Sequence, residues 1–102
     1  METGKTYSTK DTTLELLRTR IDECDKQIIE LLRRRFELVR KIGTYKANFN
    51  LPVLDERRER ELIADRRQQA SELNSDLVES LFNLIINKSR QIQADVKKES
   101  GS

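Results

Sequence analysis

The stretch that decides the fold is LELLRTRIDECDKQIIELLRRRFELVRKIGTY, residues 14–45. Its apolar side chains recur at alternating steps of three and four residues, which is typical of a long helix that packs against another helix. The positions of this seam are Leu14, Leu17, Ile21, Cys24, Ile28, Leu31, Arg35, Leu38, Ile42 and Tyr45. The pattern predicts one helix from about Thr13 to about Phe49, with Thr12 or Thr13 as its N-cap. Gly43 lies inside this helix, which indicates close backbone packing at that point.

A second helix follows a short interruption. Asn50 can end the first helix and Pro52 cannot continue it. Asp55 is an N-cap residue for a helix that we expect to run to about Leu73. The apolar face of this helix is thin and consists of Leu62, Ile63, Ala70 and Leu73.

A third helix is predicted after residues 74–76. Ser75, or Asp76 together with Glu79, can cap it. Its apolar residues are Leu77, Val78, Leu81, Phe82, Leu84, Ile85, Ile92 and Val96. We therefore expect one helical domain over residues 12–96, with flexible segments at 1–11 and 97–102.

The composition favours an all-α fold that buries part of its surface against a second chain. Of the 102 residues, 35% are hydrophobic and 37% are charged, with three Gly and one Pro. This balance suits long amphipathic helices, but the hydrophobic fraction is low for the core of a monomer of this size. A helix of about 35 residues spans roughly 52 Å, whereas a compact domain of about 100 residues has a radius of gyration of about 13 Å. The seam therefore predicts a twofold homodimer.

The residue content excludes several functional classes and argues against others. The chain has 20 basic and 18 acidic residues, interspersed, so no nucleic-acid partner is expected. It has no apolar run long enough for a membrane span and no signal-peptide core at its start, so the expected location is the cytoplasm. It contains no His, which excludes Ser–His and Cys–His catalysis and His-ligated metals. Cys24 is the single cysteine, and we interpret it as a small core residue.

Arg35 is the one charged residue of the seam. A buried guanidinium is costly unless it is paired and hydrogen-bonded. One interpretation is that it meets an acidic side chain such as Asp25 or reaches out to solvent. The other is that it binds a carboxylate or phosphate, which its planar shape suits.

Lys46 and Arg18 are two further candidate cations beside the seam. Arg35 and Lys46 are eleven residues apart, which places them about 16 Å apart along the axis and about 20° apart around it. They could therefore converge on one small anion. Arg18 is about 42 Å from Lys46 along the helix, so it could join them only from an antiparallel partner chain. The alternative is that Arg18 and Lys46 are solvated surface residues.

Polar residues of the second and third helices complete the candidate set. Asp55, Arg58 and Glu59 lie at the start of the second helix, and Ser89 and Gln93 share one face of the third. Taken singly, Asp55 is an ordinary cap and the others are ordinary polar or surface positions. A Gln amide can also donate to a neutral ether or carbonyl oxygen.

Five short motifs together resemble the all-helical class of chorismate mutase. They are L-R-x-x-I-D-x-x-D from Leu17, L-L-x-x-R from Leu31, I-G-x-x-K from Ile42, P-V-x-D-x-x-R-E from Pro52 and S-x-x-x-Q from Ser89. Each is weak alone, but their order and spacing are specific, and the resemblance covers about residues 14–96. It implies a three-helix protomer in an intertwined homodimer that converts chorismate, a small dicarboxylate, into prephenate for phenylalanine and tyrosine synthesis.

The resemblance also implies the principal roles in the site. Arg18 would cross the dimer to bind one substrate carboxylate, and Arg35 would bind a carboxylate from within the chain. Lys46 and Gln93 would donate to the ether oxygen whose bond breaks. A pericyclic rearrangement of this kind needs no metal or cofactor.

The remaining candidates would play supporting parts. Asp55 and Glu59 would lie near the substrate hydroxyl, and Arg58 and Ser89 would surround the ring and its carboxylate. Two alternatives stay open: a lyase of the same fold that splits isochorismate into salicylate and pyruvate, and a non-enzymatic helical dimerisation module. The loop motif that starts at Pro52 and the presence of Ser89 favour the mutase over the lyase.

Overall fold

The chain folds into three α-helices. The computed structural model describes the backbone of residues 2–101 and the side chains of residues 12–101. The helices are α1 (Glu2–Asn48), α2 (Glu56–Gln69) and α3 (Ser75–Gly101), and this described part contains no β-strand. The all-α, three-helix prediction is therefore confirmed. The chain divides into two compact units, residues 1–35 and 36–102.

The unit of residues 1–35 contains the first part of α1. The helix begins at Glu2, so the predicted start near Thr13 and the cap at Thr12 or Thr13 were wrong. Residues 2–12 contain no proline, so nothing in the backbone prevents the helix from extending. Cys24 is exposed on α1 and is not the core residue that its seam position predicted. The flexibility expected for residues 1–11 and 97–102 stays a prediction.

The apolar side chains of the seam are exposed along the whole of its length. All eight of the large ones are between 45% and 59% exposed in this chain. They are Leu14, Leu17, Ile21, Ile28, Leu31, Leu38, Ile42 and Tyr45. Contiguous exposed apolar surface of this kind is unusual for a monomer.

The C-terminus of α1 is closed by a Schellman motif. Asn50 has a positive φ of 53°, a conformation that Asn tolerates better than most residues. The backbone N–H of Leu51 donates to the carbonyl of Lys46 at 2.8 Å, and that of Asn50 donates to Ala47 at 3.4 Å. The predicted role of Asn50 in ending the helix is thus confirmed. Pro52 lies two residues after Asn50. Because proline has no backbone N–H to donate, the helix does not continue beyond this point.

The caps of α2 and α3 explain where these helices begin. Asp55 caps α2 as predicted, since its Oδ1 accepts from the backbone N–H of Arg58 at 3.0 Å. Asn74 caps α3 by accepting from the N–H of Leu77 at 3.0 Å, so the predicted cap at Ser75 or Asp76 was wrong by one or two residues. Asn is as good an N-cap as Ser or Asp, and its earlier position lets Ser75 become helical.

The unit of residues 36–102 holds the buried core. Its buried apolar side chains are Val39 from α1, Leu62 from α2, and Val78, Ile85 and Ile86 from α3. Helix α2 ends at Gln69, four residues before the predicted Leu73, because residues 70–73 form a turn in which the Leu73 N–H donates to Ala70 at 3.0 Å. The opposite face of α3 leaves Leu77, Leu81 and Leu84 exposed.

The end of α2 carries a surface cluster of charged residues. Arg66 and Gln69 both donate to the Asp65 carboxylate, the latter at 2.7 Å. These hydrogen bonds, that from Arg66 first, lower the pKa of Asp65 below its usual value. The Arg66 guanidinium also lies 5.9 Å from the ring centroid of Phe82, which links α2 to α3.

Gly43 is the point where α1 packs closely on α3. A Cβ at this position would lie 3.1 Å from the Gln93 Cα and 3.2 Å from the Val96 Cβ. The first of these atoms belongs to the backbone of a helix, which cannot move aside without shifting the whole element. The close backbone packing predicted for this glycine is therefore confirmed.

Replacing Gly43 with alanine is expected to destabilise the protein by about 1 kcal/mol in urea unfolding at a fixed protein concentration. Alanine removes a helix-propensity cost of about 1 kcal/mol, but overpacking costs about 1–3 kcal/mol. Gly101→Ala is the matched control, because a Cβ there meets nothing within 4 Å. A Gly43→Ala protein more stable than the wild type would contradict this account of the contact.

Candidate active site

A cavity of about 510 Å³ opens between the end of α1 and the start of α2. Its volume falls within the range of small-molecule sites. The cavity brings together two of the predicted site residues, Lys46 and Asp55. The other residues that line it are Leu51, Pro52, Leu54 and Glu56.

Lys46 is held in place by the loop that follows its own helix. Its Nζ donates to the carbonyl oxygen of Val53 at 2.9 Å, and the side chain is half-buried. This contact uses one of the three ammonium donors. The same loop is contacted by Lys97 of α3, which is half-buried and whose Nζ donates to the carbonyl of Leu51 at 3.0 Å. Two lysines therefore anchor one loop, and Lys46 is the one that lines the cavity.

Asp55 and Arg58 form the first turn of α2. The Oδ1 atom of Asp55 is used by the helix cap, and the Arg58 side chain is exposed. The capping alternative for Asp55 is thus confirmed, and any contact with a ligand would be an additional role. A carboxylate at a helix N-terminus is also stabilised by the helix dipole.

Two substitutions of Asp55 should separate these roles. Asp55→Ala removes the cap and should lower the free energy of unfolding by about 1 kcal/mol. Asp55→Asn keeps the cap and should cost only a few tenths of that amount. If the charge also acts on a ligand, the Asn variant loses activity while keeping its stability. Asn74→Ala is the control, since it removes the cap of α3, away from the cavity; activity in Asp55→Asn equal to that of the wild type would leave the residue as a cap alone.

Ser89 and Gln93 are the buried polar residues of α3, with 6% and 8% exposure. Ser89 Oγ donates to the Ile85 carbonyl at 2.7 Å, one turn earlier. Gln93 Oε1 is buried and has no hydrogen-bond partner among the described residues. The close contact at Gly43 places the Gln93 backbone against α1, one turn before Lys46. Gln93 is thus a buried amide on the side of α3 that faces the lysine-bearing turn.

Glu59 forms an ion pair that sequence reasoning missed. Its Oε2 lies 2.9 Å from Nε of Arg90, which joins α2 to α3. Arg90 directly follows Ser89 and precedes Gln93 by three residues, so its place beside two candidate residues was the available clue. Long-range pairing of this kind has no signature in local sequence spacing.

Arg18 and Arg35 both belong to the unit of residues 1–35. Arg18 Nη1 pairs with Glu15 Oε2 at 3.0 Å, and its side chain is 62% exposed. Arg35 is half-buried. The structure therefore places Arg18 on an exposed helix surface, and the convergence of these two arginines with Lys46 stays a prediction.

The part of the chain that the structure describes contains neither a membrane-spanning helix nor a cluster of metal ligands. No helix there is both long and apolar enough to cross a membrane. Among the side chains of residues 12–101, no three His, Cys, Asp or Glu residues cluster closely enough to hold a metal ion.

Known proteins provide an independent comparison. The chain is 34% identical over 84 residues to the T-protein of Enterobacter agglomerans, a match that covers 80% of this chain and 22% of that protein. It is 32% identical over 78 residues to the T-protein of Haemophilus influenzae, covering 74% and 21%. It is 35% identical over 69 residues to the bifunctional chorismate mutase/prephenate dehydratase of Aquifex aeolicus, covering 68% and 18%. No solved structure matches the chain significantly.

The chain spans about a fifth of the length of the curated relatives that it matches. The family model described as chorismate mutase type II matches residues 17–94. This range includes all five motifs, which extend from Leu17 to Gln93. It also includes every candidate residue of the site, from Arg18 to Gln93. The chain belongs to the chorismate mutase type II family.

Proposed function

We propose that the chain is a chorismate mutase, an isomerase that converts chorismate into prephenate in aromatic amino acid biosynthesis. The observation that carries this proposal is the cavity shared by Lys46 and Asp55 in a chain of this family. A cation and a carboxylate that line one small cavity suit a substrate with an ether oxygen and a hydroxyl. The name of the Aquifex relative, which includes chorismate mutase, supports the same conclusion.

Lys46 is proposed as the principal catalytic residue. Its ammonium is fixed by Val53 but keeps donors available for a ligand. As the ether bond breaks, negative charge develops on the oxygen, and a positioned cation stabilises that charge without reorganising. Half-burial strengthens the interaction, because a less polar surrounding screens the charge less than water does.

Gln93 is proposed as the second donor to the ether oxygen. Its amide is buried, and Oε1 lacks a partner among the described residues. An ether oxygen can only accept a hydrogen bond, so the donor toward it must be Nε2 of the amide. Rotation of the amide places Nε2 where Oε1 lies, which converts the group from acceptor to donor. Gly43 permits this arrangement, since a larger residue would push α3 and Gln93 away from α1.

Arg18 and Arg35 are proposed to bind the two carboxylates, in an intertwined antiparallel homodimer. The exposed seam supports a second chain, because its eight large apolar residues are 45–59% exposed. Helix geometry separates Arg18 from Lys46 by about 42 Å within one chain. A twofold partner removes this separation, so that each of two equivalent pockets takes Arg18 from the other chain. Asp55, Glu59, Arg58 and Ser89 are proposed to surround the substrate hydroxyl and ring.

The proposed mechanism depends on orientation and charge. The pocket folds a flexible dianion into its reactive chair, which removes an entropic part of the barrier. Charge-assisted hydrogen bonds are worth about 1.5–3 kcal/mol each. Several of them supply the roughly 8 kcal/mol behind a millionfold acceleration if they tighten in the transition state. No covalent intermediate is required for a unimolecular rearrangement.

The decisive test is turnover of chorismate with the product identified. The purified chain should convert chorismate into prephenate. The reaction is followed as a loss of chorismate absorbance, and prephenate is identified by mass spectrometry. Isochorismate is supplied in a parallel assay, where release of salicylate and pyruvate would assign a lyase instead. Turnover of neither substrate, together with no heat of binding by chorismate, would reject the enzyme and leave a helical dimerisation module.

A further inference from the structure

A groove of about 640 Å³ runs between α2 and α3 and is crossed by two ion pairs. Its apolar floor is formed by Ile63, Ala64 and Ile86. Glu59 pairs with Arg90 at the end of the groove nearer the start of α2, and Arg67 pairs with Glu79 at the other. Each pair joins the same two helices, so they are equivalent as interhelical links.

The Arg90 guanidinium is held from two sides. Its Nε lies 2.9 Å from Glu59 Oε2 in an ion pair whose N–H is not aligned as a hydrogen bond, and its Nη2 donates to Oδ1 of Asn87 one turn earlier on α3. The Glu59 side chain is 25% exposed and that of Arg90 is 40% exposed. A rigid planar cation that is anchored on its own helix fixes the orientation of the carboxylate that it contacts. The pair therefore restrains the Glu59 carboxylate to the neighbourhood of Arg90.

The Glu59–Arg90 pair lies near the cavity of Lys46 and Asp55, which gives the pair a role beyond linking α2 to α3. Glu56 lines both the groove and that cavity, so the two adjoin. Glu59 is one turn further along α2 from Asp55 and Glu56. Arg90 also lies between the buried residues Ser89 and Gln93 on α3. The carboxylate that Arg90 contacts thus lies in the groove that adjoins the proposed substrate cavity.

We propose that Arg90 is a positioning residue that holds the Glu59 carboxylate for the substrate hydroxyl. Arg90 pairs with Oε2 of Glu59, and the other carboxylate oxygen of Glu59 accepts the hydrogen bond from the substrate hydroxyl. Without Arg90, Glu59 is free to rotate toward solvent, and the bound substrate loses one of its orienting contacts. The inference rests on the proposed mutase function, because it needs a hydroxylated substrate in the adjoining cavity.

A purely structural role is the alternative that the experiment must exclude. Half-exposed ion pairs contribute little to folding stability, and the Arg67–Glu79 pair, with side chains 42% and 41% exposed, joins the same helices. Arg67→Met is therefore the matched control. It removes an interhelical pair of the same kind but leaves the Glu59 carboxylate as it is.

The test compares steady-state kinetics of Arg90→Met, Arg90→Lys and Arg67→Met with the wild type. Arg90→Met should lower kcat about twentyfold with KM changed less than about threefold, because the cations still bind the substrate but its orientation is poorer. Arg90→Lys should recover part of kcat, since it keeps the charge without the planar shape. Arg67→Met should stay within about twofold of the wild type in kcat.

A double variant separates action through Glu59 from direct contact with the substrate. Arg90→Met combined with Glu59→Gln should be no slower than Glu59→Gln alone, because the two residues act as one unit. Multiplied effects, or an Arg90→Met kcat equal to that of Arg67→Met, would overturn the positioning role. If Arg90→Met does not fold, the same comparison with Arg90→Lys decides the matter. A wild-type chain that does not convert chorismate would instead reject the proposed function itself.

Discussion

Replacing Lys46 with alanine is expected to lower kcat about a thousandfold while KM changes less than about threefold. The reason is that the charge on the ether oxygen develops only as the bond breaks, so the ammonium acts mainly in the transition state. The ground-state substrate keeps its carboxylate contacts with the arginines, and its affinity changes little. Initial rates of chorismate consumption over a range of substrate concentrations measure both parameters.

Lys97→Ala is the control for this experiment. Both lysines donate to backbone carbonyls of the loop after α1, Lys46 to Val53 and Lys97 to Leu51. Lys97 does not line the cavity, so its loss tests loop anchoring without removing the cation from the site. We expect its kcat within about twofold of the wild type. An equal loss in both variants, or a Lys46→Ala effect confined to KM, would contradict the ether-oxygen role.

Local sequence patterns were sufficient to predict the three helices, the end of α1 and the start of α2. Asn50 and Asp55 act through their own backbone neighbourhoods, so their roles can be recognised from residue type and position alone. Asn74 was missed because three consecutive residues were all good caps, and spacing does not choose among them. The start of α1 was missed because helix formers without a breaker leave the boundary undefined.

Tertiary packing accounts for what local patterns missed. Cys24 lies on an apolar stripe, yet it is exposed, because a periodic pattern shows which side of a helix is apolar but not what covers that side. The pair of Glu59 and Arg90 joins residues on separate helices, so no local spacing marks it. Gly43 could be interpreted only in part. The cost of a glycine inside a helix could be read from the sequence, but the residue that it packs against, Gln93 on α3, could not.

The arrangement of the cations across two chains is the proposal with the largest consequence for activity. Arg18→Ala and Arg35→Ala should each lower kcat/KM by about a hundredfold or more, since each removes a charge-assisted bond to a carboxylate. Mixed in equal amounts and allowed to exchange, the two inactive proteins should regain about a quarter of the wild-type activity per chain. Half of the dimers are then heterodimers, and each has one pocket with both arginines intact. Native mass spectrometry of subunits that carry tags of different mass measures both the dimer and the extent of subunit exchange.

Two controls make the recovery specific to a contribution from the second chain. Arg33→Ala should remain active, although Arg33 resembles Arg18 closely: it pairs with Glu30 at 3.1 Å, three residues away, and is 67% exposed. Arg35→Ala mixed with Lys46→Ala should show no recovery, because both residues are proposed to serve the same pocket from one chain, so every heterodimer pocket lacks one of them. Recovery in this second mixture would mean that Arg35 and Lys46 do not serve one pocket from one chain. No recovery with Arg18→Ala and Arg35→Ala after confirmed exchange would mean that Arg18 does not act across the dimer. The pocket would then have to be completed within one chain, which the length of α1 between Arg18 and Lys46 does not allow if the helix stays straight.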